Sequence, residues 1–156
     1  MSNTAIILDS SVIAKWFFTE ENSKLALRIK NDFSEGLISI AAPLLLYYEI
    51  NNLLKTAVKS FRVDPHEALG VYNAFLELDI ILYSSEELMR HTLKIAIDRD
   101  LSSYDASYVA LADHLNMPFY TSDTRLIKKA DNKLVLNLMD YYPIQGQVLS
   151  QDTGLI

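Results

Sequence analysis

AIILD, residues 5–9, is a continuous apolar run stopped by an acid. It lacks the two-residue alternation of a half-exposed strand and the length of a helix. A strand buried on both faces of a parallel sheet has this pattern. Four more short apolar segments read as strands: Leu37–Ala41, Ile80–Tyr83, Pro118–Thr121 and Leu134–Leu136. Helical stretches separate them. Val12–Phe18 reads as a short helix, and Glu21–Phe33 as a longer one that Gly36 ends. Pro43 is expected to open a third, with Leu46, Ile50, Leu53, Leu54, Ala57, Val58 and Phe61 as its apolar stripe. Asp64-Pro65 starts a fourth, through Ala68, Leu69, Tyr72, Phe75 and Leu76. Ser84 with Glu87, and Ser102 with Asp105, have capping-box spacing for two more, and Asp123–Ala130 reads as a last short helix. Strands alternating with helices predict an α/β fold: three layers, with a mainly parallel central sheet of four to five strands.

The chain has 156 residues, half of them hydrophobic, with four glycines and four prolines. That fits one domain and excludes a disordered or collagenous chain. The domain is expected over residues 1–142. Residues 143–156 are expected to form a loosely ordered tail, because the sequence turns polar and aperiodic there. No cysteine is present, which excludes a disulfide framework, a thiolate metal site and a cysteine nucleophile. MSNTAIILDSS has no basic leader, and the longest uncharged apolar run is too short to span a bilayer. A cytoplasmic protein with no membrane association is expected. The net charge of −6 means that any polyanionic partner needs a local basic patch.

Parallel α/β sheets carry their sites at the carboxyl ends of the strands. Asp9 and Asp123 each follow a strand, Asp105 opens a helix of small residues, and Glu49 borders an apolar stripe. Each also has a plain structural reading: helix caps for Asp9 and Asp123, half of a capping box for Asp105, a solvated charge for Glu49. The alternating fold would bring all four to one end of the sheet, where a cation would offset their repulsion. Hard oxygen donors select Mg²⁺ or Mn²⁺. His66, His91 and His114 follow no ligand spacing and read as structural or surface residues. Lys15, Lys55, Lys59, Arg62 and Arg125 flank the acids, with Lys128 and Lys129 nearby, as a phosphodiester substrate would require. A solvated face is the alternative. Trp16, Phe17 and Phe18 read as core.

The blocks ILDSSVIAKWF, YEINNLL, SSYDASYVALA and FYTSDTRL, in that order, resemble PIN-domain ribonucleases, and among them the VapC-type toxins of toxin–antitoxin pairs. The resemblance runs from about Ile6 to Tyr142, and its third block is the most distinctive. It implies a PIN-like fold and a metal site from Asp9, Glu49, Asp105 and Asp123, with Thr121 or Ser122 as accessory. Some relatives carry another acid after the last one; Ile127 stands nearby here, so the acid site is not extended. The resemblance further implies an RNA substrate, a homodimer and inhibition by a VapB-type antitoxin. The expected chemistry is metal-dependent hydrolysis of single-stranded RNA, with Asp9 and Asp105 as direct ligands and Glu49 and Asp123 acting through water or a second ion. A bound water attacks in line and leaves a 5′-phosphate. Tyr47, Tyr48, Tyr72 and Phe75 are candidates for the dimer interface.

Other readings fit less well. A haloacid-dehalogenase-type phosphatase wants a second Asp where Ser11 stands, and a response-regulator receiver wants an Asp where Tyr83 stands. A non-catalytic RNA-binding or scaffold PIN domain need not keep all four acids.

Overall fold

Residues 5–8 fall inside β1 (Thr4–Leu8), where Ile6, Ile7 and Leu8 are buried. The computed structural model describes residues 4–18, 20 and 22–141, so the expected tail lies outside the described residues. Next come α1 (Ser10–Phe17), α2 (Ser23–Ser34), β2 (Ile38–Pro43), α3 (Leu45–Lys59) and α4 (Pro65–Leu76). Then follow β3 (Ile81–Tyr83), α5 (Glu86–Arg99), α6 (Ser103–Leu115), β4 (Phe119–Thr121), α7 (Thr124–Ala130), β5 (Val135–Asn137) and a single 3₁₀ turn, Leu138–Asp140. The five strands form one sheet in the order β3-β2-β1-β4-β5, and every pairing is parallel. The described residues thus give an all-parallel α/β fold flanked by seven helices.

The register places Ile7 of β1 between Ala41 of β2 and Phe119 of β4. The chain moves outward one way through β2 and β3, then returns to the other side of β1 for β4 and β5. Right-handed crossovers put α1 to α4 on one face and α5 to α7 on the other, in line with the packing of α1 on α2 and α3, and of α6 on α5 and α7. The direction of winding therefore reverses between β1 and β4. Their carboxyl ends open a crevice there, the standard position for a ligand site in such sheets.

Three local expectations need correcting. Pro43 ends β2 instead of opening α3, which starts two residues later; as the last strand residue it still pairs with Tyr83. The cap of α5 is Ser85, which accepts from the Leu88 amide; Ser84 lies one residue too early for that bond. The stripe on α3 stops short of Phe61, which lies beyond the helix and is 96% exposed. Leu69 and Leu76 of α4 are also exposed, so only Ala68 and Phe75 of that helix are buried.

Candidate active site

The crevice is built around Asp9, the residue after β1. Its side chain caps α1 by accepting from the Val12 amide at 3.3 Å, so the capping reading is correct as far as it goes. The carboxylate does more than cap. The Ser11 hydroxyl donates to one oxygen and the Thr121 hydroxyl to the other, both at 2.6 Å. Those hydroxyls in turn accept amides of the β4–α7 turn: Ser122 N–H to Ser11 Oγ at 3.2 Å and Asp123 N–H to Thr121 Oγ1 at 3.1 Å. Two strand ends 112 residues apart are thus tied through one carboxylate. Ser122 Oγ is buried and has no hydrogen-bond partner.

Glu49 comes from the second turn of α3 and is half-buried. Tyr108 of α6 donates to its Oε1 at 2.6 Å, and Ser10 lines the same cleft as Glu49. Tyr108 is itself buried and stacked on Phe119 of β4, with ring centroids 5.4 Å apart. Asp105 sits in the first turn of α6, where its amide donates to the Ser102 hydroxyl. Asp123 caps α7, accepting from the Leu126 amide, and stays exposed.

Electrostatics joins the four acids. Burial raises Asp9 to about 6, against the lowering effect of its Ser11, Thr121 and Val12 bonds, and the Asp105 charge adds to the rise. Burial is also the main cause that raises Glu49, with the charges of Asp9 and Asp105 adding to it. Asp105 is raised by burial and then by Asp123. Tyr108 is held well above the usual phenol range, by burial first and by Glu49 next, so its proton stays in place to donate.

Among the described residues, no three acidic or histidine side chains converge closely enough to hold a metal ion by themselves. The donor set nevertheless fits a hydrated Mg²⁺ or Mn²⁺. Mg²⁺ is normally held by one or two carboxylates, with waters and substrate phosphates completing its octahedron. A buried, partly desolvated carboxylate facing other acids is a donor that a cation would relieve.

The basic residues divide. Arg62 lies in a cleft of about 390 Å³ that Glu49, Asn52 and Thr56 also line. Arg125 lies in a second cleft of about 230 Å³, with Ser102, Asp105, Asp123 and Lys129. Lys55 stands about 120° round α3 from Glu49, in a groove against Leu69 and Tyr72 of α4. Lys59 ends α3 and is exposed. Lys15 is buried and ion-paired with Glu20 at 3.5 Å, so it is not an open cation; the short α1 turns it inward.

Sequence reasoning missed Ser11 and Tyr108 as members of this constellation. Both signals were local: Ser11 lies two residues after Asp9, and Tyr108 one helical turn after Asp105 on the same face. Phe18, expected in the core with Trp16, is only half-buried and lines the Arg62 cleft.

The PIN domain family profile matches residues 6–132. The chain is 27% identical over 127 residues to Ribonuclease VapC3 of Pyrobaculum aerophilum, a match covering 80% of this chain and 93% of that one. A crystal structure from Pyrobaculum aerophilum superposes with a TM-score of 0.66 at 21% identity, covering 89% of this chain and 92% of that chain. A toxin–antitoxin complex from Klebsiella pneumoniae contains a chain that superposes with a TM-score of 0.61 at 19% identity, covering 89% and 99%. The two structures share the fold.

Proposed function

The chain belongs to the PIN domain family, and from that premise we propose that it is a metal-dependent endoribonuclease that hydrolyses single-stranded RNA as the toxin of a toxin–antitoxin pair. One observation carries this reading. Asp9, Glu49, Asp105 and Asp123 come from four separate elements and interact electrostatically at the crevice where the sheet reverses direction. Similarity to VapC ribonucleases supports the substrate class.

Asp9 and Asp105 would hold Mg²⁺ or Mn²⁺ directly, and Glu49 and Asp123 through water or a second ion. When bound, the cation supplies an activated water and neutralises charge on the phosphate under attack. The chain's own groups do the rest. The Ser11 and Thr121 hydroxyls fix both oxygens of Asp9. Tyr108 fixes Glu49. Thr121 also orients the turn that carries Asp123, and Ser122 stands beside it as an accessory hydroxyl. Arg62 and Arg125, one in each cleft beside the acids, are suited to phosphates on the two sides of the scissile bond.

The partners proposed are a VapB-type antitoxin and a second copy of this chain. Structural neighbours that are toxin–antitoxin complexes support the first. For the second, the expected aromatics need revision. Phe75 is buried, and Tyr72 donates to the Tyr47 carbonyl at 2.9 Å, so these three pack α3 against α4. Exposed apolar side chains on those two helices are Tyr48, Leu69 and Leu76, and Met89, Leu93, Ile97 and Tyr104 add to them on α5 and α6, as surface that a second copy would bury. Among the described residues no helix is long and apolar enough to cross a membrane.

The test is cleavage of a fluorescent single-stranded RNA pool by purified protein with Mn²⁺. Cleavage that EDTA stops, and that Asp9→Asn and Asp105→Asn each reduce by orders of magnitude while staying folded, supports the reading. Full activity in either folded variant removes that acid from the site.

A further inference from the structure

Helices α2 and α3 end in the same backbone motif with different residues at the critical position. After α2, Gly36 takes φ +73°, its amide bonds to the Phe33 carbonyl, and the next amide bonds back to Asp32. After α3, Phe61 takes φ +61°, its amide bonds to Val58, and the Arg62 amide bonds back to Ala57. This is the Schellman ending, whose left-handed residue is ordinarily glycine or asparagine. The other positive-φ residues among those described are Asn22, Gly36, Asp100, Asn116 and Asp131, all types that tolerate the conformation. Phe61 is the exception. A bulky residue in that region is strained, and at 96% exposure it has almost no packing to offset the strain.

The motif also aims the next residue. The guanidinium of Arg62 lies over the ring of Phe18, 4.5 Å from its centroid, in the cleft that reaches Glu49. Asn52 and Thr56, a turn apart on α3, add an amide and a hydroxyl to the same wall. A planar cation backed by an aromatic ring, with side-chain amide and hydroxyl groups in the same cleft, matches the faces and edges of unstacked bases, and the exposed Phe61 precedes that cation in the chain. A purely apolar protein partner would not need the amide and hydroxyl wall.

We infer that the Phe61–Arg62 tip, with Phe18 behind it, is a nucleobase-stacking platform that grips single-stranded RNA on the Glu49 side of the acids. One base stacks on the Arg62 plane and a neighbouring base on Phe61. Asn52 and Thr56 lie close enough to the cleft to read a base edge. The inference rests on the ribonuclease reading above and adds the means by which the strand is held.

The test uses the full chain and a ten-nucleotide single-stranded RNA carrying 2-aminopurine, whose fluorescence falls on stacking. Binding is measured in EDTA, and KM and kcat are measured with Mn²⁺. Phe61→Gly should raise the melting temperature, because it relieves the left-handed strain, yet weaken RNA binding and raise KM by about fivefold or more. kcat should hold within about twofold. Arg62→Lys, which keeps the charge and loses the plane, should lose quenching by a similar factor while the salt dependence stays unchanged. The opposite signs for stability and RNA binding at Phe61 exclude a folding defect as the cause. A binding loss smaller than about fivefold in Phe61→Gly overturns the platform while the ribonuclease reading stands. If that variant instead loses only the grip of a protein inhibitor, the tip is a protein-docking element and the inference is equally overturned. A wild type that neither binds nor cuts RNA refutes the ribonuclease reading itself, and the platform with it.

Discussion

Asp9→Asn should make the metal-free protein more stable at neutral pH, and increasingly so as pH rises. Asp9 is 7% exposed, and burial moves its carboxyl from 3.8 to about 6. A pKa raised on folding means that the folded state holds the proton more tightly than the unfolded chain. The associated stability is fully present below the unfolded value and is lost as pH climbs through the folded one. A shift of about two units at ~1.36 kcal/mol each comes to about 3 kcal/mol above pH 6. By the same linkage, about half of it develops between pH 5 and pH 7.5. Asparagine carries no charge, so its stability should not follow this curve. It keeps one acceptor, and one of the two hydroxyls now donating to Asp9 must accept instead. That cost is the same at every pH and drops out of the slope. Relief of Glu49, which the Asp9 charge helps to raise, acts in the same direction. The assay is urea denaturation of both proteins in EDTA at several values between pH 5 and 7.5. The gap should widen in favour of the variant by about 1.4 kcal/mol or more. Parallel curves across that range would mean that Asp9 does not ionise there, and the account of a desolvated central carboxylate would be wrong.

Saturating Mn²⁺ should raise the melting temperature of the wild type, since a ligand at a hundred times its dissociation constant adds about 2.7 kcal/mol. Asp105→Asn should gain much less, and equal gains would leave Asp105 as a helix-start residue only. Tyr108→Phe deletes the bond to Glu49 and should cost about 1.5–3 kcal/mol of stability, the usual range for a hydrogen bond to a charged group. A loss below about 0.5 kcal/mol in thermal or urea melts would show that the bond holds nothing in place. Replacing Arg62 and Arg125 together by Gln should lower the slope of log affinity against log salt by about 1.4, at ~0.7 per phosphate contact on a single strand. Lys55→Gln should leave that slope unchanged, because Lys55 faces the α3–α4 groove; the opposite pattern would move the RNA path onto that groove.

Much of the architecture was legible from residues 5–9 outward, because the signals that set it act over short distances. A buried parallel strand needs a continuous apolar run, and helix starts need an oxygen a turn before a free amide. Asp9, Asp64, Ser102 and Asp123 all cap where such spacing puts them. The same rule failed between adjacent candidates, at Ser84 and Ser85, where composition does not say which hydroxyl takes the bond. Three of the four acids stood out for a similar reason: Asp9, Asp105 and Asp123 sit at helix starts that local pattern locates, while Glu49 stood out at the edge of the apolar stripe of α3.

Tertiary structure alone decided what surrounds those acids. The Thr121 bond to Asp9 spans 112 residues and the Tyr108 bond to Glu49 spans 59. Both depend on β4 returning beside β1 instead of continuing outward from β3. Strand order is set by which helices cover which face, a sum over the whole core that no local window contains. The fate of the charges depends on the same packing: it buries Lys15 against Glu20 and leaves Arg62 over Phe18 in the cleft. Local pattern located the strands, most of the helix starts and the four acids. Only the folded chain decided which hydroxyls hold those acids and which cations face them, because burial and partnership are set by distance in space and not along the chain.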